Sequence, residues 1–350
     1  HTERDRATGV MVHVFGPHIF HTDREDVWNY VNRFGTFVPF VNRVKASNSF
    51  GLFSFPINLH TINQFFGKRF SPKEARTFIG SLGDRTIGEP QNFEEQALKY
   101  VGRELYDAFF YHYTTKQWGC EPRELPASIL KRLPVRFNYN DNYYHDAFQG
   151  IPEQGYSTVI ERMLDDPHIT VQTSVSYSAD LEKGFDHCFY TGLLDAYFGF
   201  KLGRLSYRTV TFERIESEGD YQGNAVINYT DASQPFTRVH EHKHLAPWES
   251  HERTIAFREF SKETGAGDLP YYPKRLAADK TLLRKYRELA KGLSATSFLG
   301  RLGTYRYLDM DTVIGEALDF AATFAESVRR GRRCPVFPSR GGGEGVRVES

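Results

Sequence analysis

Two histidines three residues apart, His18 and His21, stand in the string GPHIFHTD at residues 16–23. Gly16 and Pro17 force a tight turn there, and such a turn can bring main chain against a flat ligand. His18 and His21 would then lie near the ligand's reactive edge. The same string also suits an ordinary turn with a surface histidine. A second stretch, residues 118–144, carries Arg123, Lys131, Arg132, Arg136, Tyr139, Tyr143 and Tyr144. Guanidinium forks grip phosphate oxygens in pairs and phenols add hydrogen bonds, so a pyrophosphate would fit this composition. A solvated loop with surface arginines fits it too. A third string, GRLGTYRYLDMD at 300–311, joins an expected strand to an expected helix. Its glycines permit close approach of a ligand, and Asp309 falls near a helix start, where N–H groups and the dipole favour anions. It could equally be a plain connection. His240, His242 and His244 alternate on one expected strand face, as a zinc site might. No carboxylate or cysteine accompanies them at convincing spacing, so no metal is expected. GxSxG, HExxH and Walker A signatures are missing from the 350 residues.

The elements that must hold these groups can be read from periodicity. Residues 13–20 are apolar and extended, and residues 22–34 have helical spacing. Residues 42–56 read as a strand pair around a turn. Ser71-Pro72 with Glu74 is a capping box at a helix start. Residues 93–114 trace one apolar helical face through Phe93, Ala97, Tyr100, Val101, Leu105, Ala108 and Phe109. Residues 169–175 alternate like a strand, and 186–190 form another. Residues 223–230 and 236–244 read as antiparallel neighbours, followed by a strand at 254–260. A strand at 297–300 and a helix at 312–328 close the periodic part. The Gly/Arg/Pro-rich segment 331–350 has no period and is expected to be disordered.

Composition narrows the function classes. Lys+Arg and Asp+Glu are 44 each, so the net charge is zero, which argues against nucleic acid or an anionic membrane as the main partner. Aromatic residues make up 15% and can fill a core or line a pocket for flat ligands. The 3 cysteines are scattered and odd in number, which fits a reducing cytoplasm. No apolar run approaches the roughly 20 residues of a membrane span, and the polar start HTERDRATGV is no signal peptide.

The strings GPHIFHTD (16–23), FPINLHTINQFF (55–66), FEEQAL (93–98), YTTKQWG (113–119), ELPASILKRLPVRFNYNDNY (124–143), GDYQGNAVINY (219–229), TRVHEHKH (237–244), LPYYP (269–273) and GRLGTYRYLDMD (300–311) resemble, in order, the bacterial UDP-galactopyranose mutase family. The resemblance implies a cytoplasmic, homodimeric isomerase that interconverts UDP-galactopyranose and UDP-galactofuranose. It implies FAD, required in the reduced state, whose N5 serves as the nucleophile at the anomeric carbon. Arg132 and Arg238 would clamp the pyrophosphate. Tyr143, Tyr272 and Tyr307 would bond the phosphates, and Phe109 and Tyr113 would hold the uridine. Trp118 would open a mobile loop, about 118–135, that carries Arg132. Asn228 and Asn42 would lie near the diphosphate and sugar. Gly16, Pro17, His18 and His21 would lie by the flavin, with Arg301, Tyr307, Leu308, Asp309 and Met310 on its other approach.

The implied fold is mixed α/β: an incomplete Rossmann-like FAD-binding domain with an inserted helical bundle and an antiparallel sheet domain. The FAD-binding part would comprise 1–36, 152–203 and 274–330. The bundle would span 58–120, and the sheet domain 37–57, 121–151 and 204–273. The family's opening strand–GxGxxG–helix–strand is not found in these residues. Its lack would weaken FAD binding and expose a sheet edge and apolar surface. A second reading is therefore a catalytically defective UDP-sugar-binding remnant. A flavin oxidase is disfavoured by the arginine and tyrosine set. Tyr144, where the family usually has Phe, and the basic tail are lesser departures.

Overall fold

The computed structural model describes residues 1–132 and 135–339; the side chains of Ser128, Lys131 and Arg132 lie outside the described part. Contacts divide the chain into two units. The first comprises residues 1–21, 35–159 and 208–271, and the second 22–34, 160–207 and 272–350.

In the first unit a mixed sheet runs in the order Tyr207–Glu218, Arg253–Glu263, Arg238–Glu241, Val226–Tyr229, Val44–Asn48, Gly51–Phe55. All neighbours are antiparallel except Val226–Tyr229 with Val44–Asn48. The hairpin expected at 42–56 is present, and the stretches 223–230 and 236–244 do contribute antiparallel neighbours. The second strand ends at Glu241, however, and His242–Leu245 is a 3-10 turn, so His240, His242 and His244 do not share one strand face. One end of the sheet is polar, and there Glu213 meets Arg258 and Glu216 meets Arg253 across strands.

Helices cover the rest of this unit. Pro72–Leu82 has the expected capping box, with Ser71 accepting from the Glu74 N–H and Glu74 reaching back to Ser71. Phe93–Tyr106 is capped by the Asn92 side chain. The single helix expected at 93–114 is interrupted. Gly102 takes φ 78°, with the Leu82 carbonyl so close that a Cβ would meet it at 2.6 Å. A π-helical turn, Asp107–Tyr111, follows, and then the helix His112–Trp118. Tyr100, expected on the apolar face, is 60% exposed. The kink at Gly102 and the wider turn aim Phe109 and Phe110 toward Phe53, Phe55 and Phe65.

The second unit has a two-stranded parallel sheet, Cys188–Tyr190 with Thr296–Phe298. Its core gathers Leu194, Leu205, Tyr207, Tyr286, Ala290, Phe298 and Tyr305. The helices Ala277–Ala290 and Met310–Arg329 belong to it, and Glu25–Val31 is shorter than the helix expected at 22–34.

Two expectations need correction. Residues 169–175 form no strand; Ile169, Val171 and Val175 are exposed, because alternation makes a strand only where a ladder neighbour and a buried face exist. Residues 331–339, placed in a disordered tail, are partly docked. Val336 and Phe337 pack on the core. The Val336 carbonyl accepts from the Phe298 N–H, and the Phe337 ring stacks on Phe298 at 5.4 Å. A Gly- and Arg-rich segment can still order itself when two apolar residues find a partner strand. Residues 340–350 lie outside the description.

Eight large apolar side chains between residues 160 and 189 are exposed, among them Ile160, Val171, Phe185 and Phe189.

Candidate active site

In the first unit, strand register builds a polar row. Asn228 lies opposite Arg238, and Arg238 opposite Glu259, so the three share one face across three strands. Arg238 Nε donates to Glu259 Oε2 at 2.8 Å, and Glu259 is 1% exposed. His240, two residues along, brings Nε2 to 3.3 Å from the same oxygen without hydrogen-bond geometry. Burial, then the nearby Arg238, His242 and His13, hold His240 well below its usual pKa, so it is neutral. The charge on Glu259 is therefore met by Arg238, whose guanidinium remains a quarter exposed. An arginine held from behind by a buried carboxylate is pre-set for an anion in front. The Oδ1 atoms of Asn228 and Asn42 are buried and accept no bond among the described residues. Tyr143 is tied to this region through its N–H, which donates to the Asn42 carbonyl at 2.8 Å.

The Trp118 helix is anchored to this sheet twice. Lys116 Nζ donates to the carbonyls of Tyr229, Asp231, Gln234 and Phe236 at 2.8–3.0 Å, gripping the loop between Asn228 and Arg238. Burial pulls the Lys116 ammonium down to about 8. Arg208 donates to the Lys116 and Gln117 carbonyls and pairs with Glu263 at 2.9 Å. Gly119, the left-handed C-cap at φ 63°, presses on Arg208 so closely that a Cβ would stand 2.2 Å from the guanidinium. The chain after Trp118 thus leaves from a fixed point. Arg132 ends the turn Ala127–Arg132, and its side chain lies outside the described residues.

The Gly16 turn closes by the Gly16 N–H donating to the His13 carbonyl. Gly16 has φ 90°, and a Cβ there would touch Phe212 at 3.4 Å and His240 at 3.7 Å. Pro17 follows; His18 Nδ1 lies 2.7 Å from the Gly16 carbonyl, and Tyr156 donates to the His18 carbonyl. His21 Nδ1 lies 2.8 Å from Asp146 Oδ2, and its ring stacks on Tyr144 at 3.7 Å.

Several expected ligand groups are engaged otherwise. Phe109 is 1% exposed and packs edge-on against Phe53 and Phe65; the π-turn puts it in the core and not on the face of Tyr113. Arg136 is buried and holds its own loop, donating to the Asn140 and Asn142 carbonyls and meeting His145. Arg123 lines a groove of about 350 Å³ with Glu94, Arg103, Asp107, Tyr111 and Glu121, apart from the Arg238 row. Asp220, Glu241 and His244 come within 4.8 Å of one another. A cation there would have to displace Lys243 from Asp220, and Glu241 already accepts the N–H groups of Tyr221, Gln222 and Gly223.

In the second unit, Tyr272 and Tyr307 stack at 5.6 Å with rings 15° apart. The Arg301 guanidinium lies 4.6 Å from the Tyr307 centroid and 5.8 Å from that of Tyr272. Its Nε and Nη2 donate to the Leu308 carbonyl, which fixes the turn before Asp309. Asp309 is the N-cap of the 20-residue helix Met310–Arg329 and makes no side-chain cap bond to its first-turn N–H groups.

The sequence did not single out Glu259, Lys116, Arg208 or Asp146 as site residues. Only the alternation of the 254–260 strand hinted that Glu259 shares a face with its neighbours. The other three are identified by partners far away in the chain.

The protein is mixed α/β, and its first unit holds a braced arginine and buried amides, a set suited to a phosphorylated ligand. Residues 108–307 match the family model "GLF: UDP-galactopyranose mutase". The chain is 54% identical over 334 residues to the "Probable UDP-galactopyranose mutase" of Klebsiella pneumoniae, covering 95% of this chain and 87% of that one. It is 49% identical over 332 residues to the dTDP-fucopyranose mutase of Escherichia coli, covering 93% and 88%. The crystal structure of reduced UDP-galactopyranose mutase superposes with a TM-score of 0.69 at 14% identity, over 97% of this chain and 90% of that one. The chain belongs to the UDP-galactopyranose mutase family.

Proposed function

We propose that this chain interconverts the pyranose and furanose forms of a nucleotide sugar, with UDP-galactose as the sugar nucleotide. The observation that carries the reading is Arg238, braced by buried Glu259 and facing the unbonded Asn228 amide oxygen. Breaking and remaking a bond at the anomeric carbon builds charge on a departing diphosphate. A guanidinium already in place stabilises that charge without reorganising. Asn228 and Asn42 would accept from sugar hydroxyls, which fixes the ring's orientation. Arg132 would add a second cation, and Tyr143 a phenol bond. Trp118 and Tyr113 lie on the helix that Lys116 and Arg208 anchor, a fixed ledge for a base.

One feature of the second unit suits FAD: Asp309 gives no side-chain cap to the helix Met310–Arg329, and first-turn N–H groups of a helix favour an electron-rich ligand edge. When bound and reduced, the flavin would supply a nucleophilic nitrogen for the anomeric carbon. This chain's residues bind, orient and hold the leaving group.

The base and the sugar's C6 are open to a second reading, because the Escherichia coli relative at 49% identity is a dTDP-fucopyranose mutase. The test is turnover of UDP-galactofuranose and of dTDP-fucofuranose by the dithionite-reduced protein supplied with FAD. Faster conversion of the UDP-sugar supports the first reading, and faster conversion of the dTDP-sugar the second. Arg238→Ala should lower kcat by about 10²–10³. An Arg238→Ala protein with unchanged kcat would remove the arginine from the reaction.

A further inference from the structure

The geometry points to Asp146 as a positioning residue that fixes the tautomer and orientation of His21 for proton transfer. This rests on the proposed reaction, with His21 by the flavin as the family resemblance implies. Three observations carry it. His21 Nδ1 is 2.8 Å from Asp146 Oδ2, with the two side chains 15% and 26% exposed. The imidazole lies on the Tyr144 ring at 3.7 Å and 16°, which holds the plane of the ring. The pair joins two segments far apart in the chain, the Gly16 turn and the loop before Phe148–Pro152, within one unit.

A carboxylate only accepts, so Nδ1 must carry the proton that makes this bond. Nε2 is then the nitrogen that takes up a proton, or gives one from the charged ring. The carboxylate favours that charged ring, as an opposite charge at hydrogen-bond distance does. Asp146 itself sits below the ordinary carboxylate range: burial raises it, but the bond and charge of His21 outweigh burial. The groups facing the pair are the Tyr144 ring on the His21 side and His145 beside Asp146, and the Arg136 guanidinium meets the His145 ring nitrogen. Tyr144 therefore gains a role as the stacking platform. The arrangement follows the general pattern in which a third group orients a histidine that moves protons.

The experiment is long-range ¹H–¹⁵N NMR of the histidine rings in the full chain, with His21 assigned by His21→Gln, alongside the pH profile of kcat. The unsubstituted protein should show His21 protonated at Nδ1. Asp146→Asn should lower the His21 titration by about one pH unit or more and move the acidic limb of kcat by the same amount. KM should change less than about twofold, and Asp146→Glu should restore part of the shift. An Nε2–H tautomer in the unsubstituted protein, or a His21 titration unmoved by Asp146→Asn, would overturn the proposal. Absent turnover in the unsubstituted protein is a separate failure. It overturns the proposed reaction, while the tautomer still decides the pair.

Discussion

His13, His240 and His242 are fully buried, and burial is the first cause holding each of them neutral, with His242 pushed down to about 3. Each therefore has a folded pKa below that of an unfolded histidine. Below about pH 6.5 the unfolded chain binds protons that the folded chain refuses, so stability falls as pH falls. Each such group contributes up to ~1.4 kcal/mol per pH unit in that window. His242→Gln should keep an acceptor for the His13 N–H, now taken by His242 Nδ1, and flatten the pH dependence by about one proton between pH 6 and 3. Urea unfolding of both proteins at pH 7, 5 and 4 measures this. Identical slopes would mean His242 titrates normally. At this scale the sequence was legible in residue type and illegible in partnership. The strands that carry Asn228 and Arg238 were read as antiparallel neighbours, and they are. Glu259, which braces the arginine, had only the alternation of its strand as a signal, and an acidic residue in a strand looks the same whether buried or solvated. Phe109 and Arg136 had the right chemistry for a ligand, but a π-turn and a loop's own carbonyls claimed them.

Two side chains, Lys116 and Arg208, hold the helix His112–Trp118 against the strands that carry Asn228 and Arg238. Lys116 satisfies four carbonyls of the intervening loop. Lys116→Met keeps the length but strands those carbonyls, and should cost about 3 kcal/mol at pH 7. The sign with pH is distinctive. The folded pKa, about 8, lies below the 10.5 of a free lysine. Between these values the unfolded chain holds the extra proton, so this residue's term makes stability rise with pH. Lys116→Met should lose that rise, which chemical denaturation at pH 7.5 and 9.5 will show as a narrower gap between the two proteins at one pH than the other. A constant gap would argue against the depressed pKa. Elements themselves were readable wherever two signals agreed. The capping box at Ser71 and the hairpin at 44–55 had both period and punctuation. Residues 169–175 had period alone, and without a neighbouring backbone a period does not make a strand.

The molecule as a whole divides by contacts into two units, and the second ends in a docked segment that composition hid. Glycines and arginines dominate 331–350, yet Phe337 stacks on Phe298 under the Arg287 guanidinium, and Val336 supplies an acceptor to the Phe298 N–H. Removing residues 332–350 should lower the Tm by about 3 °C or more, from the lost aromatic contact and the stranded N–H. A melt that does not move would make the segment an ornament. Overall composition also misses how the apolar surface is shared. Mean hydropathy is −0.52, yet eight exposed large apolar side chains crowd into the thirty residues 160–189. Environment-sensitive dyes such as ANS bind exposed apolar surface, and their brightening is commonly read as the mark of a molten globule. This chain should light such a dye while fully folded, with near-UV circular dichroism intact. A dye-based thermal shift on it would then start bright and dim on melting, and its curve would have to be read upside down.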